Sequence, residues 1–121
     1  MKNSLREKVF EYVAKKYNSK IEYPWPKYPD YAVFRHNDNQ KWFGIVMNIS
    51  CKKLGINFDD NIDVLNVKIS DHILLDILLQ QKGMYSAYHM NKENWISIAL
   101  DGSVSFEQIC ELVDRSFVAT K

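Results

Sequence analysis

Along this chain the spacing of apolar residues switches between a helical period and a strand period, and the order of those switches restricts the fold more than any other feature. Leu5, Val9, Val13 and Tyr17 recur at helical spacing behind the capping-box pattern Ser4-Leu5-Arg6-Glu7. Lys8, Lys15 and Lys16 fall off that stripe, so a first helix is predicted over 4–17, stopping near Asn18-Ser19. The segment Tyr23–Asp30 carries three prolines, which remove N–H donors and fix φ, and only an extended or edge-like path suits it. Segments 31–36 and 41–49 are rich in β-branched and aromatic residues around the polar tract Asn37-Asp38-Asn39-Gln40, the pattern of a hairpin.

Lys52–Asn61, with Gly55 and paired aspartates, is expected to be a loop, and 62–69 to be a third strand. Its alternation puts Leu65, Val67 and Ile69 on one face and Asn66 and Lys68 on the other. Ser70 or Asp71 can cap a second helix over 71–81, whose stripe Ile73, Leu74, Ile77 and Leu78 implies deep burial, with Gly83 suited to closing it. Two further strands, 84–89 and 95–100, are expected around a tight connection at 90–94. A second capping box, Ser105-Phe106-Glu107-Gln108, starts a last helix over 105–118 with Ile109, Leu112, Val113 and Phe117 at helical spacing.

Strands in runs separated by single helices imply an α+β fold of order α-β-β-β-α-β-β-α, a mainly antiparallel sheet with helices on one face. At 121 residues without a linker or repeat, one domain over 1–121 is expected. Its core should hold Leu65, Val67, Ile77, Leu78, Ile96, Ile98, Ile109 and Val113.

Charge and motifs exclude several classes of function. Lys and Arg number 16 against 15 Asp and Glu, so no overall field draws in a polyanion, and any nucleic-acid surface has to be a local patch. No apolar run reaches roughly 18 residues and the start MKNSLREK lacks a signal-peptide core, so the expectation is a cytoplasmic protein without a membrane partner. Cys51 and Cys110 form no CxxC, and His36, His72 and His89 lie in separate elements without i, i+4 pairing. Neither a disulfide nor a metal site is expected, and no cofactor. There is no nucleophile elbow, and Gly44, Gly55, Gly83 and Gly102 are too scattered for a phosphate loop, so no enzyme is expected.

What remains is a set of polar and aromatic side chains turned away from the core by alternation: Asn66 and Lys68 on one strand, Trp95 and Ser97 on another. Lys92 lies at the adjoining turn, and Arg35 and Lys41 border the first hairpin turn. Arg35, Lys41, Lys68 and Lys92 are candidate phosphate contacts, with Asn66 beside them and Trp95 as a stacking platform. The competing account has Trp95 packed under the Pro-Trp segment and the lysines merely solvated.

Three stretches taken together carry a resemblance: the Pro-Trp segment running into Pro29-Asp30-Tyr31-Ala32-Val33-Phe34, then Leu65-Asn66-Val67-Lys68, then Tyr88-His89-Met90-Asn91-Lys92 through Trp95. In order and spacing the chain resembles the MmcQ/YjbR family of small bacterial proteins, and Ser116-Phe117 resembles that family's aromatic pair near the end of the last helix. One departure is Asn94, where many members carry a His directly before the Trp. The resemblance implies a fold similar to secretion chaperones and to the CyaY-like shape. It also implies a DNA-binding label that rests on paired strand wings embracing a duplex. A non-enzymatic binding module, DNA-binding by that resemblance, is the leading expectation. The alternative is a protein-interaction or chaperone-like adaptor, with a second copy of the chain as one such partner.

Overall fold

The computed structural model describes residues 4–121, and the first helix begins where its cap dictates. Ser4 Oγ accepts the Glu7 N–H at 3.1 Å, and α1 runs Leu5–Tyr17 until Asn18 adopts a left-handed conformation at φ 51°. Six strands follow: β1 (Ile21–Glu22), β2 (Ala32–Arg35), β3 (Trp42–Ser50), β4 (Asn61–Lys68), β5 (Met84–Ser86) and β6 (Trp95–Ala99). They form one sheet in the order β1-β2-β3-β4-β6-β5, with every pairing antiparallel. Helix α2 (His72–Leu78) lies between β4 and β5, and α3 (Phe106–Ala119) closes the chain. The α+β order expected from the sequence is therefore present, with the short β1 added at one edge.

All three helices pack on one face. Val9 and Val13 of α1, Leu75 and Leu78 of α2, and Ile109 and Val113 of α3 join Leu65, Val67, Ile96 and Ile98 in the larger hydrophobic cluster. Burial of that apolar area is the main driving force for the fold. Among the described residues no helix is long and apolar enough to cross a membrane.

Three local expectations need correction. Helix α2 is short and shallow, with Ile73 74% and Ile77 51% exposed, so Ile77 is not a core residue. The run Ile73-Leu74-Leu75 followed by Ile77-Leu78-Leu79 is apolar almost all round, so its periodicity could not select the buried side, which Leu75 and Leu78 provide. Within the expected loop 52–61, Cys51–Leu54 forms a 3-10 turn closed by Gly55 at φ 80°. Strand β5 ends at Ser86, and the connection to β6 is the irregular stretch 87–94 rather than a tight turn.

Ser116-Phe117, one of the pairs behind the resemblance, fastens α3 to the sheet. Ser116 Oγ donates to the Phe43 carbonyl at 2.7 Å and accepts the Lys68 N–H at 2.8 Å, joining the neighbouring strands β3 and β4 just beyond their last paired residues. Phe117 stacks on Tyr17 with centroids 3.9 Å apart and meets Phe43 edge-on. Nearby, Asp114 accepts hydroxyl donations from Tyr12 and Tyr17 and pairs with Lys16 at 2.8 Å, which ties α1 to α3. Burial pushes the Asp114 carboxyl up, but the Lys16 ammonium and the Tyr17 and Tyr12 hydroxyls outweigh it and hold it below the usual range.

His36 is buried between Phe43 and Phe117, with Nε2 2.6 Å from Thr120 Oγ1. Burial pushes its pKa below the ordinary value; Lys121 and Lys41 act in the same direction, and Asp38 opposes them. A depressed histidine means that the unfolded chain takes up the proton first. Its contribution to stability is complete above about pH 6.5 and is lost as the pH falls below that value. The urea midpoint should drop between pH 7 and pH 5, and the drop should be smaller in His36→Gln. Parallel pH profiles for the two proteins would show that His36 is not the group responsible.

Candidate functional site

The site begins with β3, which is apolar on both faces. Opposite Phe34 and Arg35 the register of β2 and β3 shifts, so Phe43 and Gly44 both turn toward the helices. From there alternation sends Ile45, Met47 and Ile49 to the helix-free face, where they form a second cluster with Val33 and Val64.

Two segments cover that cluster, and each is held by identifiable bonds. In the proline segment, the Tyr28 N–H donates to the Trp25 carbonyl and the Tyr31 N–H to the Tyr28 carbonyl, at 2.9 and 3.0 Å. These successive turns set Trp25 edge-on to Trp42, with centroids 5.6 Å apart, and stack Tyr28 on Tyr31 at 4.7 Å. Burial, then Tyr88 and Tyr28, push the Tyr31 phenol up, so it stays neutral. On the other side, the Asn66 amide donates to the Tyr88 carbonyl at 2.8 Å. Ser97 Oγ donates to Asn66 Oδ1 and accepts the Tyr88 N–H at 3.0 Å. His89 follows in a left-handed conformation at φ 60°, a strained backbone for a non-glycine residue.

Between the two covers lies a cavity of about 550 Å³. Its floor is Ile45, Met47 and Ile49; Trp25, Tyr31 and Trp42 wall one side and Tyr88 and Met90 the other, and Ser50 and Lys53 stand at its edge. A neighbouring cavity of about 420 Å³ lies along β5 and shares Lys53 and Tyr88 with the first.

The residues proposed from the sequence are distributed unevenly around this trough. Asn66 is fully buried and its amide is consumed by the Tyr88 segment and Ser97, so it cannot face a nucleic acid. Arg35 is half-buried, paired with Glu22 at 2.8 Å and placed 5.4 Å from the Trp42 ring centroid. Lys68 is opposite Trp95 in the register but lines a separate groove between α2 and α3, together with Asp71, Glu111 and Arg115. Trp95 is half-buried, and the indole under the Pro-Trp segment is that of Trp42. Lys41 is exposed at the hairpin turn. Lys92 is exposed, lines the cavity along β5 and donates to the Ala87 carbonyl at 3.1 Å. Lys92 is therefore the one sequence candidate that borders the two joined cavities.

Sequence reasoning missed Tyr31, Trp42, Tyr88 and Lys53 as one site, and gave the proline segment that carries Trp25 only an extended or edge-like path. A usable signal was present: the unbroken run Trp42-Phe43-Gly44-Ile45-Val46-Met47 marks a strand covered on both faces. Cys51 and Cys110 are free thiols. Among the described residues no group of three or more His, Cys, Asp or Glu is placed to hold a metal.

Fold and site together define a class: a small α+β domain whose sheet is shielded by three helices on one face and carries an aromatic trough on the other. The chain belongs to the YjbR family, whose model matches residues 14–119. It is similar to the uncharacterized protein YyaQ of Bacillus subtilis (strain 168), at 42% identity over 116 residues, covering 96% of this chain and 98% of that one. A crystal structure of a Pseudomonas syringae protein matches with a TM-score of 0.92 and 44% identity, over 96% of this chain and 98% of that one. A crystal structure of a Deinococcus radiodurans protein at 20% identity matches with a TM-score of 0.70 over 94% of this chain and 76% of that one, and shows the fold alone.

Proposed function

We propose that this protein is a non-enzymatic binding module that takes a ligand with a flat aromatic ring into the aromatic trough on its helix-free face. The observation that carries this is the 550 Å³ cavity between Trp25, Trp42, Tyr31 and Tyr88. Its size falls in the range of about 300–1,000 Å³ typical of small-molecule sites, which are lined mainly by apolar and aromatic groups. The strained His89 backbone on the cavity wall adds support, since such strain tends to gather at ligand clamps. The same proposal places the protein in the cytoplasm, where free thiols such as Cys51 and Cys110 persist.

Duplex DNA, the ligand implied by the family resemblance, draws weaker support. With Asn66 buried and Arg35 paired to Glu22, the remaining cations are divided among the hairpin turn (Lys41), the groove between α2 and α3 (Lys68, opposite Trp95 in the register) and the cavity along β5 (Lys92). The protein-partner alternative is favoured by one observation, the large apolar side chains left exposed on the helices, Ile73 and Ile77 on α2 and Val118 on α3.

A titration with adenosine as a neutral planar probe, followed by tryptophan fluorescence, tests the trough. Quenching is expected, and Trp25→Leu should weaken binding by about 1–3 kcal/mol, roughly five- to 150-fold, the usual worth of one stacked base. Absence of quenching at millimolar probe, or quenching unaffected by Trp25→Leu, would overturn the assignment.

A further inference from the structure

The trough and its neighbour differ from the rest of the surface in charge. The chain as a whole is nearly balanced, with 16 basic and 15 acidic residues, yet the joint lining of the two cavities contains Lys53 and Lys92 and no Asp or Glu. The groove between α2 and α3 is the contrasting case, where Asp71, Glu111 and Asp114 stand against Lys68 and Arg115. Lys53 and Lys92 are both exposed, and neither is in an ion pair among the described residues, whereas the adjacent Lys52 reaches Asp59 at 3.9 Å. Lys92 spends one hydrogen on the Ala87 carbonyl, which fixes the ammonium beside β5 and leaves its other hydrogens free.

Resting on the trough assignment above, we propose that the ligand is a planar aromatic phosphate of the nucleoside monophosphate class. Its ring lies between Trp25 or Trp42 and Tyr88, and its phosphate lies over the partition formed by Tyr88 and Lys53, facing Lys92. Three features favour this class. Lys53 and Tyr88 line both cavities, so the aromatic and cationic halves are contiguous. Two lysines and the Ser86 hydroxyl suit a tetrahedral phosphate; a carboxylate is matched better by the planar fork of an arginine. The absence of carboxylates from either lining leaves an anion unopposed, so electrostatics selects for the charged form of a ligand that stacking alone would not distinguish.

The test compares adenosine, adenosine 5′-monophosphate and inorganic phosphate on the full chain, by tryptophan quenching and calorimetry. The monophosphate is expected to bind at least about tenfold more tightly than adenosine at low salt, as charged hydrogen bonds would give. Lys53→Gln with Lys92→Gln should bring it down toward the level at which the same variant binds adenosine; circular dichroism verifies the fold of the variant. Equal binding of adenosine and its monophosphate, or an advantage that survives the double substitution, overturns the phosphate assignment while the trough stands. Binding of inorganic phosphate alone, without adenosine, overturns the stacking half. Failure of adenosine to quench at millimolar concentration removes the trough assignment itself.

Discussion

Gly44→Ala is expected to lower the unfolding midpoint markedly although it adds a single methyl group. A Cβ at this position would lie 2.5 Å from Phe34 Cδ2, 3.2 Å from Cε2 of the same ring and 3.5 Å from Leu65 Cδ1. Real Cβ atoms do not tolerate the first of these distances, so something must move. The Phe34 ring has little room: it is fully buried, edge-on to Phe10 at 5.7 Å and tilted against Phe43 at 5.9 Å. Overpacking of this kind costs about 1–3 kcal/mol and occasionally more, while the lower chain entropy of alanine returns about 0.5–1 kcal/mol. The net loss is a sizeable part of a typical stability of about 5–15 kcal/mol. Phe34→Leu in the Gly44→Ala background should recover part of the loss, because the two sites share one contact and their effects are not additive. If chemical denaturation found Gly44→Ala as stable as the parent protein, the shared orientation of Phe43 and Gly44 at the bulge would be wrong.

That bulge shows where the sequence could be followed and where it could not. In β4 alternation holds along most of the strand, so Leu65 and Val67 were legible as core and Asn66 as the opposite face, while Lys68 at the strand end lines the groove between α2 and α3. In β3 the register shift breaks the period, and residues on either side of Phe43 exchange faces with no local mark except Gly44 itself. The caps Ser4 and Ser105 were legible and the second was narrowed to Ser70 or Asp71, of which Asp71 is the cap, because each hydroxyl or carboxylate satisfies backbone N–H groups two or three residues onward. The candidate site was harder to see, since it depends on two distant segments folding over one strand. Alternation tells which face Asn66 occupies, but it cannot tell whether residues 87–94 return to cover that face. Polarity by itself suggests exposure, whereas Asn66 is polar and buried because it has a backbone carbonyl to satisfy in a dry place. Lys92 was legible as a surface cation, and its meaning changes once Lys53, from another part of the chain, stands beside the same pair of cavities.

Asn66→Ala should be the most damaging substitution on the helix-free face, and its damage should be both global and local. The asparagine is fully buried and serves two partners: its amide donates to the Tyr88 carbonyl, and its carbonyl accepts from Ser97 Oγ. Alanine leaves the Tyr88 carbonyl without its donor and the Ser97 hydroxyl hydrogen without its acceptor, and each orphaned buried group costs about 1–3 kcal/mol. Asn66→Asp separates the two functions. A carboxylate still accepts from Ser97 but cannot donate to Tyr88, and burial would favour its protonated form, which can. For Asp, a folded-state pKa raised above about 3.9 means stability is greatest at low pH and falls as the pH rises through the unfolded and then the folded value. Asn66→Asp should therefore approach the parent protein in acid and fall behind it at neutral pH, while Asn66→Ala stays uniformly weaker. The local consequence reaches the trough, because the lost bond is one of the two that hold the Tyr88 backbone against the sheet, the other being its N–H donation to Ser97 Oγ. Amide exchange in 87–94 should accelerate beyond what the global loss explains, and adenosine quenching should weaken. The half-buried Asn48, which donates to Asp63 at 3.0 Å, provides the comparison, and Asn48→Ala should leave exchange in 87–94 alone. A uniform rise in exchange across the whole sheet in Asn66→Ala would mean that the cover over the trough is held by its aromatic contacts, not by Asn66.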